Sequence, residues 1–214
     1  IKPENRFRSL ASPFNHHQQA VLRVPRMATD PKQADEHTEL IATMIPELVS
    51  GHLGSLILFS SWRQMFRVTD MLPPEFAEKV LSQGSLSKSE IIAQHKDNVD
   101  SEQNSVIFGL ASFAEGIDLP GKYCCPVVIA KIPFAVPDDP VGATLSEWIE
   151  ARGGNSFAEV MIPDATLRIV QACGRLLRTE TDSGVITILD TRLVSKRYGS
   201  MILRALPPFR MELS

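Results

Sequence analysis

The sequence predicts a doubly wound α/β layer structure: a mostly parallel sheet with helices on both faces. Short apolar runs bounded by turn residues read as buried strands, namely Ser55–Phe59, Val106–Leu110, Val127–Ile132 and, after Gly184, Val185–Leu189. The runs are continuously apolar rather than alternating, as strands covered on both faces are. Helix-like stretches fill the intervals between them, the alternation that gives a parallel sheet. The 214 residues, 43% of them apolar, suffice for one sizeable core, or one core with a small attachment.

Taken in order, Ala20–Pro25 reads as an added strand near the N-terminus. Asp35–Val49 is a long helix that Pro46 should bend or end. Trp62–Leu72 follows the first buried strand as a helix, and Ser87–Val99 opens with Ser87 and Glu90 at capping-box spacing. Leu145–Ala151 is a shorter helix and Leu167–Arg178 the clearest one, while Pro133–Pro140 reads as a loop leaving a strand end. No internal repeat or low-complexity segment is visible. Open parallel sheets place their sites beyond the C-terminal strand ends. The loops expected to carry function are therefore Ser60–Arg63, Ala111–Gly121 and Pro133–Pro140.

Net charge is −3, but it is unevenly spread: Ala165–Ser214 holds 8 Lys/Arg against 4 Asp/Glu, which leaves −7 on the remainder. A basic C-terminal quarter can meet phosphates; a solvated helix face rich in arginine accounts for it equally. Cys124, Cys125 and Cys173 are odd in number, and the adjacent pair is a poor metal spacing, so no metal site is expected and a reducing cytosol fits best. No apolar run approaches the ~20 residues of a membrane span, and no signal peptide is visible. The first residue is Ile rather than Met, so a processed or excised polypeptide is expected.

The helix with the most chemistry carries Gln171, Gly174, Arg175 and Arg178. At about 100° per residue these fall on one stripe, opposite Ile169, Val170, Ala172, Cys173, Leu176 and Leu177. Gly174 costs about 1 kcal/mol against alanine in a helix, which suggests a close approach there. Two arginines one turn apart make a clamp for polyphosphate. The bland alternative is a solvated arginine face with a glycine for tight helix packing. The pattern Q-x-x-G-R-x-x-R resembles motif VI of superfamily 2 helicases. That resemblance implies a RecA-like lobe in which Arg175 and Arg178 act as arginine fingers on the γ-phosphate of ATP held between two lobes. Gln171 and Gly174 would face the same cleft.

Ser112-Phe-Ala-Glu115-Gly116-Ile-Asp118-Leu-Pro-Gly121 follows the second buried strand. Gly116 and Gly121 permit positive φ in a tight loop. Asp118 can accept from a ribose hydroxyl or hold a clamp arginine, and Glu115 can couple the ATP side to the DNA side. A turn capped by an aspartate is the bland alternative. The segment looks like motif V in the E-G-x-D-x-x-G form of the XPD/DinG branch. Gly116–Tyr123 also nearly spells a phosphate-binding G-x-x-x-x-G-K-[ST] loop. Tyr123 replaces the small hydroxyl that ligates Mg²⁺, Pro120 lacks an N–H, and Asp118 sets negative charge against phosphate. The Walker A and B elements are accordingly expected outside this chain.

Leu56–Arg63 (LILFSSWR) resembles motif IV, which contacts the backbone of single-stranded DNA in that family. Ser60, Ser61, Arg63 and, from motif V, Ser112 are the candidate DNA contacts; helix capping by Ser61 is the alternative use of that hydroxyl. Ser12-Pro13-Phe14 resembles the family's entry into this lobe, and Val128–Pro140 the strand and Pro-rich loop after motif V. The marks run in family order from about Ser12 to Arg204, and the DinG/YoaA group of 5′→3′ helicases matches best. The organisation expected is a lead-in from the preceding lobe over 1–19, the RecA-like lobe over 20–206 and a tail over 207–214.

The resemblance implies ATP with Mg²⁺, mostly held by the other lobe, and single-stranded DNA and the N-terminal helicase lobe as partners. It implies a role in bacterial, cytoplasmic DNA repair or replication. A [4Fe–4S] cluster needs four cysteine ligands, so any such cluster belongs to the other lobe. The tail could dock a replication-complex subunit through Phe209, or fold back on the lobe. Trp62 and Phe113 could stack on bases, but burial is the expectation for both; His16-His17 is expected in an exposed loop and Cys173 in the core. Two rivals remain. A degenerate lobe that only recruits partners would make the arginines dispensable. A nucleotide-dependent oxidoreductase wants G-x-G-x-x-G after a strand, and none is present.

Overall fold

In the computed structural model, which describes residues 12–134 and 140–214, strands and helices alternate along the chain. α1 (His16–Gln19) leads into β1 (Ala20–Val24), followed by α2 (Ala34–Leu48), β2 (Gly54–Phe59), α3 (Trp62–Met71) and α4 (Pro74–Ala77). Next come β3 (Val80–Ser82), α5 (Lys88–Asp100), β4 (Ser105–Leu110), β5 (Val127–Ile129) and α6 (Pro140–Glu150). A π-helical turn, Phe157–Met161, runs into α7 (Ile162–Cys173). The chain continues through β6 (Gly184–Ile188), α8 (Arg192–Ser195) and α9 (Arg197–Ala205) to β7 (Arg210–Leu213).

The strands form one seven-stranded sheet among the described residues, in the order β3-β4-β2-β5-β6-β1-β7. Every pairing in it is parallel. Side chains alternate across the pleat, so one strand feeds two cores. Leu56 and Leu58 join Ile107, Ile129 and Ile186 under α5, α7 and α9. Ile57 and Phe59 join Phe108 and Val128 under α2 and α3, where Phe59 and Phe108 meet with ring centroids 5.1 Å apart. The expected doubly wound sheet covered on both faces is therefore present, and its continuous apolar strands are continuous because both faces are buried.

Several elements differ from expectation. α2 runs two residues past Pro46, because a proline in the last turn forfeits only one backbone bond. β5 ends at Ile129 rather than Ile132, since the Ile132 N–H leaves the ladder and donates to an Asp190 carboxylate at 2.9 Å. Residues 207–213 are not a free tail. Phe209 is 5% exposed, its ring lies 5.6 Å from that of His16, and β7 pairs in register with β1. Phe209 thus packs back onto the lobe, the second of the two uses expected for the tail, and β1, the added strand expected near the N-terminus, lies between β6 and β7. His16 and His17 sit in the short α1 rather than in a loop. The Pro-rich loop falls partly outside the described residues, at 135–139, as does 1–11 of the lead-in. No helix among the described residues is long and apolar enough to cross a membrane.

Candidate functional site

β2 and β4 pair from Gly54↔Ser105 to Phe59↔Leu110, so both strands end at the same level and Ser60 and Ala111 leave the sheet side by side. Two cavities open there. One, of about 180 Å³, is lined by Ser60, Ser61, Arg63, Arg67, Lys131 and His37, among others. The other, of about 110 Å³, is lined by Ser60, Ser112, Pro133, Phe134 and Arg168, with strand-end residues beneath. Ser60 borders both, so the two cavities adjoin at the C-terminal strand ends. The predicted Ser60, Ser61, Arg63 and Ser112 are thus brought together. Ser61 also caps α3, its hydroxyl accepting the Gln64 N–H at 3.3 Å.

Three cations of this groove, Arg67, Lys131 and Arg168, escaped the sequence reading. Lys131 lies two residues past the end of β5 but inside the strand expected over Val127–Ile132, which hides it; Arg168 extends the Gln171 stripe one turn back. Burial, aided by the nearby Arg192, pulls the Lys131 ammonium below its ordinary pKa. Its Nζ donates to the Pro31 carbonyl at 3.1 Å. Trp62 is 40% exposed, contrary to the expected burial, and stacks on Phe66 with centroids 5.6 Å apart on the outer face of α3. Phe113 is buried, as expected.

The groove wall is fixed from below by an ion pair with no sequence signature. Asp190, fully buried at the end of β6, receives the Ile132 N–H at 2.9 Å and two Arg192 side-chain donors at 2.9 and 2.6 Å. The Arg192 guanidinium lies 5.5 Å from the Phe134 ring centroid, and Phe134 packs against Phe157 and Tyr198. This cluster holds the Ile132–Phe134 segment in place.

The motif with two arginines takes a different form from the one its spacing suggested. α7 stops at Cys173, Gly174 is its C-cap with φ −65° and ψ −8°, and Arg175 and Arg178 lie beyond the helix. The Arg175 N–H reaches back to the Ala172 carbonyl and the Leu176 N–H to that of Cys173, three-residue bonds that tighten the last turn. A Cβ on Gly174 would meet nothing nearer than 3.4 Å, so among the described residues none makes the close approach expected there. Leu176 and Leu177 remain buried without the helix.

Both arginines nevertheless converge. Arg175 Nη1 and Arg178 Nη2 donate to the Ile117 carbonyl at 2.9 and 2.8 Å, and Arg178 Nε stands 3.8 Å from Asp118 Oδ1. Asp118, expected either to accept from a ribose hydroxyl or to hold a clamp arginine, stands at the edge of ion-pair distance from Arg178. Gly116 and Gly121 take the positive φ expected, +69° and +57°. Glu115 is exposed at the bend, its carbonyl accepting from Lys88 Nζ, while Gln171 is half-buried on α7. Asp182, also unforeseen, ties the trailing turn down by accepting the Arg178 and Thr179 N–H groups at 2.7 and 2.8 Å and the Thr179 hydroxyl at 2.6 Å. Burial pushes the Asp182 carboxyl up, but these bonds and one from the Gly121 N–H outweigh it and leave its pKa low. Lys122 of the near-P-loop pairs with Asp100 at 2.7 Å.

Among the described residues no group of three or more His, Cys, Asp or Glu is placed to hold a metal ion. Burial pushes the thiols of Cys124 and Cys173 up to about 12. Two buried histidines clamp the loops: His95 Nε2 bonds the Tyr123 carbonyl at 2.7 Å, and His37 Nε2 bonds that of Leu189 at 2.8 Å. Burial holds both imidazoles below the usual 6.5, against the pull of those carbonyls. The folded state therefore binds fewer protons than the unfolded state in acid, and stability is lost as pH falls below about 6.5. The urea midpoint is expected to drop between about pH 7.5 and about pH 5.5, and to drop less in His95→Asn.

Comparison with known proteins gives the site its context. A family model described as "Helicase C-terminal domain" matches residues 46–209. The chain is 43% identical over 209 residues to the ATP-dependent DNA helicase DinG of Photobacterium profundum, covering 96% of this chain and 30% of that protein. It is 36% identical over 215 residues to the Escherichia coli K12 protein of the same name, again covering 30% of it. The chain thus spans about a third of the length of these curated relatives. A solved XPD helicase superposes with a TM-score of 0.68 at 19% identity, over 92% of this chain and 36% of that one. The C-terminal domain of the DEAD-box protein Dbp5 superposes with a TM-score of 0.50 at 13% identity, over 93% and 91%. These last two speak to the fold alone, a RecA-like α/β lobe. With a family match across most of its length and DinG helicases as its sequence relatives, this chain belongs to the helicase C-terminal domain family.

Proposed function

We propose that this chain is the second motor lobe of an ATP-dependent DNA helicase. It completes an ATP site held mainly by a preceding lobe and grips single-stranded DNA in the groove at the strand ends. The observation that carries this reading is the convergence of Arg175 and Arg178 on the Ile117–Asp118 turn, at the far end of the loop that starts in the groove at Ser112. One loop thus joins a pair of guanidiniums to a polar, cation-lined groove. Guanidiniums suit a γ-phosphate because they are planar, always charged and forked. When the lobes close, Arg178 moves from Asp118 to the developing charge, with Arg175 beside it and Gln171, Gly174, Glu115 and Gly116 bordering the cleft. The Walker elements, and the magnesium they hold, would come from the preceding lobe. The chain alone hydrolyses no ATP.

In the groove, Ser60, Ser61, Arg63 and Ser112 meet phosphates and sugars rather than base edges, so recognition is sequence-tolerant. Lobe opening and closing moves this grip against that of the other lobe. In the full-length protein, Arg63→Ala combined with Ser112→Ala is expected to weaken single-strand binding about tenfold or more. ATP affinity without DNA should stay unchanged. Unaltered DNA binding would remove the groove assignment.

A further inference from the structure

We propose that Arg168 is a phosphate contact for the single strand, held in reserve by Asp164; this rests on the groove being the DNA site. Arg168 lies on α7, in the smaller cavity with Ser60 and Ser112. Its Nε pairs with Asp164 Oδ2 at 2.9 Å, and the two side chains are 35% and 34% exposed. A half-exposed pair one helical turn apart is weakly held. A guanidinium is a fork of five N–H donors, so the Nε contact leaves its terminal amino groups for a second acceptor. A backbone phosphate on Ser60 and Ser112 is an acceptor of the right charge, and a forked bond to it is stronger than a half-solvated carboxylate contact. The neighbouring cavity carries Arg63 and Lys131, besides Arg67 in an ion pair with Asp35, so a strand crossing Ser60 would have cationic groups on either side of it.

The position has a second consequence. Arg168 stands one turn before Gln171 on the helix that delivers Arg175 and Arg178. A shift of α7 as the arginines engage nucleotide therefore re-aims Arg168 in the groove. Asp164 is the resting partner to which the guanidinium returns when the strand is released.

The test is single-strand binding by the full-length protein, read by anisotropy of a labelled oligothymidylate across a range of salt concentrations. Arg168→Gln should weaken binding about tenfold and make the log–log salt slope shallower by about 0.7, the value for one phosphate on a single strand. Arg168→Lys should keep the slope. Asp164→Asn should tighten binding about two- to fivefold, and that gain should vanish in the Arg168→Gln background. An unchanged affinity and slope in Arg168→Gln, with Arg63→Ala still weakened, would overturn the Arg168 assignment and leave the groove standing. Unchanged binding in both variants would overturn the groove and this assignment together. A loss of affinity in Arg168→Gln with an unaltered salt slope, or a lowered melting temperature in step with it, would make Arg168 a packing residue and overturn the assignment too.

Discussion

Arg178→Ala in the full-length protein is expected to lower kcat for single-strand-stimulated ATP hydrolysis by roughly 10³-fold or more. ATP affinity should move far less. The reason is differential: a finger acts on charge that develops only as the phosphoryl group transfers, so its removal shows in kcat rather than in ground-state binding. Arg178 suits that part because its side chain is 31% exposed and its ion pair with Asp118 is long, at 3.8 Å, so the 2.8 Å bond to the Ile117 carbonyl is the main contact it gives up. Arg175→Ala should cost turnover as well, and should also disturb the loop. Arg175 is half-buried, with its Nε enclosed and unpartnered among the described residues, and it shares the Ile117 carbonyl with Arg178. Its loss should therefore raise the DNA concentration needed for stimulation, and more than Arg178→Ala does, because the more buried Arg175 is the firmer of the two holds on that carbonyl. If both variants turn over normally, the lobe recruits partners and does not complete an ATP site.

Asp190→Ala is expected to destabilise the fold by about 3–5 kcal/mol, the cost of leaving a buried charge without its partner. Arg192 is 13% exposed and donates to both Asp190 oxygens, while the Ile132 N–H loses its acceptor in the same step. Chemical denaturation should show a lowered midpoint with little change in slope. Asp190→Asn keeps an acceptor for Ile132 but drops the charge, so it should cost less. A midpoint within experimental scatter of wild type for Asp190→Ala would mean that the pair does not hold the groove wall.

Much of this was legible in the sequence, for identifiable reasons. The buried strands are legible because a strand covered on both faces is apolar along nearly its whole length, as Leu56–Phe59 and Val106–Leu110 are. β3 and β7 did not. Val80–Ser82 is three residues long and half-buried, and Arg210–Leu213 is largely exposed at the sheet edge, so neither carries a core pattern. The end of α7 was overrun because Leu176 and Leu177 continue an apolar stripe, yet burial does not require helix. Gln171, Arg175 and Arg178 were found as one motif, but their stripe was read on helix geometry that stops at Gly174, and the arginines meet through the Ile117 carbonyl instead. Asp182 and Asp190 were invisible because their importance lies in acceptors and donors brought from elsewhere in the chain: Gly121 is 61 residues from Asp182, and Ile132 is 58 from Asp190. Burial is the expectation for Trp62, whereas α3 turns it outward to stack on Phe66.

The most direct test of the central claim is the affinity of ADP with aluminium fluoride, a mimic of the transferring phosphoryl group, measured against ADP alone in the presence of single-stranded DNA. Wild type should bind the mimic at least ~10²-fold more tightly than ADP, and Arg178→Ala should lose most of that difference while binding ADP normally. Equal preference for the mimic in wild type and in both arginine variants would contradict an arginine-finger lobe.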